Sequence, residues 1–563
     1  VADIRRKTTA PAPGLNLLDR AIGYIAPRVA ARRLVARQQL AVFGGYNGAR
    51  KDKAALASWR TSSGSPETDI IADLPTLRER CADLERNAPV AASVVNSHCT
   101  HVVGTGLACN PQIDADYLGL SEDEAQAWQK DTARRWRAWA ETPDCDLARV
   151  LNFYGLQDLA LRGVLSRGDI FALTPRIARQ GARPRLALQL VEADRVSNPG
   201  LRSNTATLTD GVECSPETGE AIAYHVCSHY PMDGLQQGAR TWQRVAARGD
   251  STGRRNVLHL YRQLRPGLRR GVPVLAPVIE PIKQLTRYSE AELDAAVTSA
   301  LMAVFMRMDP QAFSDLFEDS DRATYLNKVS DWSGEMESGK VINLLPGEEP
   351  VTPNTGRPNA QFDAFTTSCM RQIGMAIGMP YEVLVMHFQS SYSAARGALL
   401  LAWRNYSGWR AWLATTLCQP VYELWLADEV AEGRIAAPGF FADAVVRAAW
   451  CHAQWVGDGP GSIDPQKEVA AARDRIALGT STLEAESLLH DGVDWETKHR
   501  QQIKEASARR EAGFVVAGAS AEPAPAPSEA NPADDVDAAT DAATDGAKDG
   551  AKDGAGANRP AAM

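Results

Sequence analysis

Four groups of residues have types and spacings that could do chemistry. Gly334-Glu335-Met336-Glu337-Ser338-Gly339-Lys340 fits G-x-x-x-x-G-K, the loop whose backbone N–H groups cradle nucleotide phosphates. Val341 stands where that loop needs a magnesium-binding Ser or Thr, and Glu335 and Glu337 would repel the phosphates. The preceding SDWS is not an apolar strand, and the following VINLL reads as β rather than helix. The match therefore speaks against a nucleotide site. His98, Cys99, His101 and Cys109 cluster near a helix end, and His225, Cys227 and His229 alternate, so a strand would place them on one face. Either set could offer zinc ligands, but neither has a clear fourth ligand or a C-x-x-C knuckle, and ordinary packing positions explain both. Trp403, Trp409, Trp412 and Trp425 could stack bases, yet their helical spacing fits packing against neighbouring helices.

The remaining chemical signatures are missing. The sequence contains no G-x-S-x-G, no H-E-x-x-H and no D-x-[DN]-x-[DN]-G loop. The carboxylate pair Asp534 and Asp535 lies in a low-complexity tail where nothing fixes its geometry. No catalytic residue, metal or cofactor is expected.

The elements that would position these residues centre on Gly374 to Gly433. This stretch opens GMAIGMPYEVL and passes through the polar segment HFQSSYS (His387 to Ser393). It then runs unbroken from Ala394 toward Glu432. Leu399, Trp403, Tyr406, Trp409, Leu413, Leu417, Val421 and Leu424 recur at helical period. Some forty helical residues would span about 60 Å. Gly408 and Pro420 predict a kink within it.

Composition bounds the class. The chain has 563 residues, 44% hydrophobic and 23% charged, as expected of a folded protein of several domains. No apolar run approaches the ~18 residues of a membrane span. Nine cysteines lie singly, which argues for reduced thiols rather than a disulfide frame. Residues 1–60 carry twelve Lys/Arg against three Asp, and residues 519–563 carry nine Asp/Glu against three Lys/Arg. With a net charge of −8, of which the tail supplies −6, the body is close to neutral and is no basic nucleic-acid sponge.

Taken in order, 1–14 is a basic arm and Leu15 to Val42 a basic amphipathic helix. The helix fits an arm that docks on a neighbour; its composition also fits a transit peptide or a membrane-surface helix. Helices are expected over Leu74 to Asn87, from Pro89 to a Gly104/Gly106 stop, over Ser121 to Ala140 and over Asn152 to Ser166. Strands follow in DIFALTPRI, RLALQLVEADRV, GVEC, AIAYHVCSHYP and Leu258 to Leu264. A helix is expected from Ile279 to Met308, a mixed polar section over Asp309 to Gly356 with a strand at Lys340 to Leu345, and a helix over Phe362 to Ile377. Phe440 to Trp455 reads as helix or strand. Asp464 to Gly513 is helical, and the repeat DGAKDGAKDGAGA belongs to a disordered acidic tail. The fold class is α+β, predominantly α.

Six segments, in order, resemble the lambda-type phage portal proteins. They are YNGAR with SWRTSSGSPETDI (Ser58 to Ile70), LRERCADLERNAPVAASVVNSHCTHVVGTGL (Leu77 to Leu107) and LQLVEADRVSNP (Leu188 to Pro199). Then come GVPVLAPVIEPIKQLTRYSEAELDAAVTSAL (Gly271 to Leu301), GMAIGMPYEVL (Gly374 to Leu384), and SYSAARGALLLAWRNYSGWRAWL into CQPVYELWL (Ser391 to Leu426). Each alone is weakly specific, but six in order are not. They cover about residues 40–480, leaving the basic arm and the acidic tail outside.

The resemblance implies a portal fold of wing, stem, clip and crown with a long kinked helix. On this chain that assigns 1–45 to the arm, 46–278 to the wing, 279–308 to a first stem helix and 309–357 to the clip. It assigns 358–385 to a second stem helix, 386–393 to a channel loop, 394–460 to the long helix and wing return, 461–517 to the crown and 518–563 to the tail. It further implies a cyclic homo-oligomer, typically of twelve subunits, at one capsid vertex of a virion assembled in the bacterial cytoplasm. Double-stranded DNA would pass through without sequence preference. The terminase large subunit, major capsid or scaffold proteins and head-completion or tail adaptors would be partners. His387, Phe388, Gln389, Ser390 and Ser391 would face the channel; Leu399, Trp403, Trp409 and Leu413 would pack subunits along the long helix.

Residue chemistry agrees with a conduit. Duplex DNA carries one charge per ~1.7 Å, so a stem helix of about 20 residues faces some ~18 phosphates. A wall that paired each with Lys or Arg would hold the DNA. HFQSSYS has no Lys, Arg, Asp or Glu. Two other readings compete: a motor ATPase, against which the broken Gly334–Lys340 motif speaks, and a membrane-associated or organellar scaffold resting on the basic N-terminal helix.

Overall fold

Local signals in the sequence account for most element boundaries. The computed structural model describes residues 58–59, 61, 63–179, 185–233, 239–301, 305–308, 348–351, 361–388, 391–461, 465–491, 495–512 and parts of 22–35. Helix α1 (Leu74–Asn87) ends at Ala88, which the following proline holds extended (φ −111, ψ 114), and Pro89 opens α2 (Pro89–Val102). Gly104 and Gly106, at φ 57° and 118°, turn the chain out of it. Strand β1 (Ala108–Pro111) and the short α3 (Ala115–Leu118) precede α4 (Glu122–Ala140). A reciprocal capping box of Ser121 and Glu124 starts α4, and the Asn152 side chain caps α5 (Phe153–Arg167).

The strands form two antiparallel sheets and smaller pairs. They run β2 (Asp169–Leu173), β3 (Arg176–Ile177), β4 (Arg185–Leu186), β5 (Gln189–Glu192), β6 (Leu208–Thr209), β7 (Val212–Cys214), β8 (Ala221–Cys227), β9 (Trp242–Ala246) and β10 (Val257–Tyr261). β2 lies between β10 and β5, and β6-β7-β8-β9 is a meander. β2 is apolar on both faces because both are covered: Ile170 and Ala172 join the main core, while Phe171 joins a second core with Val191, Val212 and Tyr224.

Helix α6 spans Ile279–Leu301, not Ile279 to Met308 as the apolar periodicity predicts. Phe305–Met308 is instead strand β11, paired antiparallel with β12 (Glu348–Val351) in register Phe305↔Val351. Cross-strand pairing across the intervening segment outweighs continued helix there. Of the segment expected to be the clip only β12 is described; Gly334–Lys340 and the Lys340 to Leu345 strand lie outside the described residues.

The chain continues through α7 (Phe362–Ile377), α8 (Tyr381–Leu384), α9 (Tyr392–Leu413), a π-helical turn (Ala414–Cys418) and α10 (Gln419–Ala431). The segment read as helix or strand is both, α11 (Ala444–Cys451) followed by β13 (Ala453–Val456). β13 pairs with β1, tying the end of this region back to its start. Helices α12 (Pro465–Ala477), α13 (Leu483–Asp491) and α14 (Trp495–Glu511) follow. The chain divides into compact units at Trp495/Glu496; the first is α+β and mainly helical, and the described part of the second is helix α14. No helix among the described residues is long and apolar enough to cross a membrane.

The main core is aromatic. Trp136, fully buried, meets Phe153, Tyr422, Trp425 and Trp455 edge-on with ring centroids 5.2–5.9 Å apart. Trp409 and Trp425 are buried in this core.

Candidate functional site

The base of the loop at 386–391 is built tightly, and its described residues Met386, His387, Phe388 and Ser391 are exposed. Helix α7 ends on Gly378 in the left-handed conformation (φ 73°), whose N–H closes on the Gly374 and Met375 carbonyls. The Met379 N–H then donates to the Gly374 carbonyl at 2.8 Å. A Cβ on Gly374 would lie 2.4 Å from the Met379 carbonyl oxygen, so only glycine allows this turn. Pro380 opens α8, and Val383 and Leu384 bury in the main core with Ile373, Ile377 and Met379. Ser93 Oγ of α2 donates to the Leu384 carbonyl at 2.8 Å and pins the turn.

Beyond this anchor the chain emerges. Met386 adopts φ 53°, unusual for an unbranched non-glycine residue, and is 67% exposed; Phe388 is 46% exposed and His387 is exposed. The His387 N–H is held by the Glu382 carbonyl at 3.0 Å. Gln389 and Ser390 lie outside the described residues, and Ser391 is the exposed N-cap of α9.

Helix α9 has two faces. Ala402, Tyr406, Trp409 and Leu413 bury against α2 and the core, while Leu400 and Leu401 are 54% and 60% exposed. Leu399 and Trp403 are half-buried. Trp409 and Leu413, expected to pack subunits, are buried in this chain's own core. No carboxylate occurs between Glu382 and Glu423, so Arg396, Arg404 and Arg410 are the only formal charges in that span.

Pro420 stands just past a π-helical turn in an otherwise continuous helix. A proline in an α-helix clashes with the carbonyl four residues before it. The π turn at Ala414–Cys418 inserts the extra residue that relieves this. Gly408 sits in regular helix with open space where a Cβ would be.

The former metal candidates are dispersed into packing. His98 is fully buried; its Nδ1 lies 2.8 Å from the Val94 carbonyl, and its ring stands edge-on to Tyr406. Burial pushes its pKa down, with only partial compensation from that carbonyl. Burial raises the Cys99 thiol to about 12. His225 Nε2 pairs with Glu213 at 3.1 Å, and His229 Nδ1 with Ser228 Oγ at 2.8 Å. Among the described residues, no group of three or more His, Cys, Asp or Glu could hold a metal ion.

A cleft of about 560 Å³ between α1, α2, α5 and β5 is lined by Arg162, Arg167 and Arg195. These three cations are engaged: Arg162 with Glu85 at 2.9 Å, Arg167 with Asp194 at 2.7 Å, and Arg195 with the Cys227 carbonyl. It holds structure together rather than presenting a reactive group.

Residues 52–410 match the family described as phage portal protein, lambda family. The chain belongs to that family. This portal chain is 26% identical to Portal protein B of Escherichia phage lambda over 492 residues, covering 84% of itself and 91% of that protein. It is 26% identical to the portal protein of Escherichia phage N15 over 498 residues, covering 85% and 93%. Among solved structures, a chain from the neck of a native gene transfer agent particle is similar at TM-score 0.36 and 12% identity, over 73% of the portal chain and 92% of that chain. The family is one of structural proteins. Sequence reasoning missed β1 and β9. It also missed the buried Asp169–Arg270 cluster, whose partners lie about a hundred residues apart.

Proposed function

We propose that the portal chain assembles head-to-tail into a closed ring, of twelve copies by the family pattern, that conducts double-stranded DNA during packaging and ejection. The observation that carries this reading is the loop at 386–391. Its base is locked by Gly374, Gly378 and Ser93, and its described tip projects free of formal charge. Such a tip can lie beside the duplex without accumulating phosphate contacts, whose strength adds up and depends on salt. Helix α6 supports the same reading, with two basic side chains (Lys283, Arg287) against four acidic ones (Glu280, Glu290, Glu292, Asp294).

On this reading 46–278 is the wing, α6 and α7 the stem, 309–357 the clip facing the terminase large subunit, and α12 and α13 belong to the crown. Capsid or scaffold proteins and head-completion or tail adaptors dock on the ring, which forms in the host cytoplasm and ends in the virion. The ring works without nucleotide turnover of its own.

Electron microscopy of the purified protein should reveal rings with an axial opening; a compact monomer that hydrolyses ATP would overturn the reading. Replacing Gln389 and Ser390 by Lys should slow DNA passage at low salt and recover at high salt. An unaltered rate would remove the loop from the channel.

A further inference from the structure

Two exposed helix flanks carry opposite charge, and each has apolar residues that no other described residue covers. On α6, Glu290, Leu293, Asp294 and Val297 share one face by their three- and four-residue spacing. All four are exposed, Leu293 at 65% and Val297 at 51%. No basic residue occurs between Arg287 and Arg307. The buried contacts of α6 come from its first turns, Ile282 and Leu285, and from Tyr288 stacked on Phe362 at 5.5 Å.

On α9, Arg396, Leu400 and Arg404 repeat every four residues, with Leu401 beside them. Leu400, Leu401 and Arg404 are exposed, and no carboxylate occurs along this helix. None of Glu290, Asp294, Arg396 or Arg404 forms an ion pair with another described residue.

We infer that these two flanks are the halves of one contact between neighbouring copies: the acidic strip of α6 on one subunit meets the basic strip of α9 on the next. The inference rests on the ring reading and names the surfaces that close the ring. The seven steps from Glu290 to Val297 rise about 10 Å and the eight from Arg396 to Arg404 about 12 Å, so the strips match in length. Leucine and valine from both sides exclude water between the charges, which strengthens their attraction. Because the strips differ, the contact is heterologous, and such contacts generate rings or filaments rather than closed pairs.

The test uses two full-length variants. Glu290→Lys with Asp294→Lys makes both strips basic; Arg396→Glu with Arg404→Glu makes both acidic. Each should fold, as judged by circular dichroism, yet remain monomeric by native mass spectrometry. Apparent subunit affinity should fall about a hundredfold or more at low salt. An equimolar mixture should restore rings in which the two species alternate, and the chain carrying all four reversals should assemble alone. Rings from either double variant alone, or a folded mixture that stays monomeric, would overturn the contact while leaving wild-type rings intact. A wild-type chain that never closes a ring would instead overturn the broader reading and this contact with it.

Discussion

Asp169 and Arg270 meet with neither side chain exposed to solvent: Nε lies 2.6 Å from Oδ2 and Nη2 lies 3.1 Å from Oδ1. Arg78 reaches the same carboxylate at 3.5 Å, and Asp210 bridges both guanidiniums at 3.1 and 2.8 Å. Two cations and two anions therefore balance in one buried cluster. Arg270 also donates to the Ala193 and Val196 carbonyls, so the cluster fixes the segment that leads into α6.

Removing one member leaves a buried charge unpaired. Asp169→Leu or Arg270→Met alone should each cost about 3–5 kcal/mol. The double replacement should cost clearly less than the sum, because both orphaned charges are gone. Urea unfolding of the four proteins closes this cycle. Additive losses would mean the pair is not coupled.

Acid should loosen the fold in two stages. Burial is the main cause pushing His98 and His259 below the ordinary histidine range; for His259 the neighbouring Asp169 offsets only part of it. Their unfolded forms therefore take protons first. Stability is full above about pH 6.5 and falls below it, by up to about 1.4 kcal/mol per pH unit for each histidine. Burial alone would raise the Asp169 carboxyl, but Arg270, Arg78 and His259 prevail and hold it well below the carboxylate range. Its contribution is present above about pH 4 and is lost only as pH falls through its folded value. Urea midpoints between pH 7.5 and 5 should shift less in His98→Leu than in the wild type.

The backbone passes itself closely at Gly168 and Gly271. A Cβ on Gly271 would sit 1.9 Å from the Gly168 carbonyl oxygen, a contact with main chain that no rotamer can relieve. Gly271→Ala should cost about 3 kcal/mol or prevent folding. Gly219→Ala is the control: its φ is 74° but its Cβ would meet nothing, so only about 1 kcal/mol is expected. Equal thermal shifts in the two variants would refute the steric account.

The helices were legible because their signals are local. Pro89, Ser121 with Glu124, Asn152 and Gly378 mark ends within one turn. The α6 boundary was not, since β11 owes its existence to β12 some forty residues on. The loop at 387–391 could be found from composition. Which leucines of α9 remain uncovered could not, because period places Leu399 and Leu400 one residue apart and only the packing of α2 decides between them. Ion-pair partners a hundred residues apart leave no periodic trace at all.

Arg410 is the clamp between the long helix and α2. Its Nε and Nη2 donate to the Val102 and His101 carbonyls at 3.1 and 3.0 Å, satisfying the frayed end of α2, while Nη1 donates to the Asp458 carbonyl at 2.9 Å. The guanidinium lies 4.9 Å from the Trp403 ring. A lysine ammonium cannot span three carbonyls set around a planar fork. Arg410→Ala should therefore cost about 2–3 kcal/mol, and Arg410→Lys should recover less than half of that. Hydrogen exchange localises the effect: amides of 99–106 should lose protection in both variants, while those of the β2–β5–β10 sheet keep theirs. Uniform loss across both regions would mean that Arg410 supports general stability rather than this one junction.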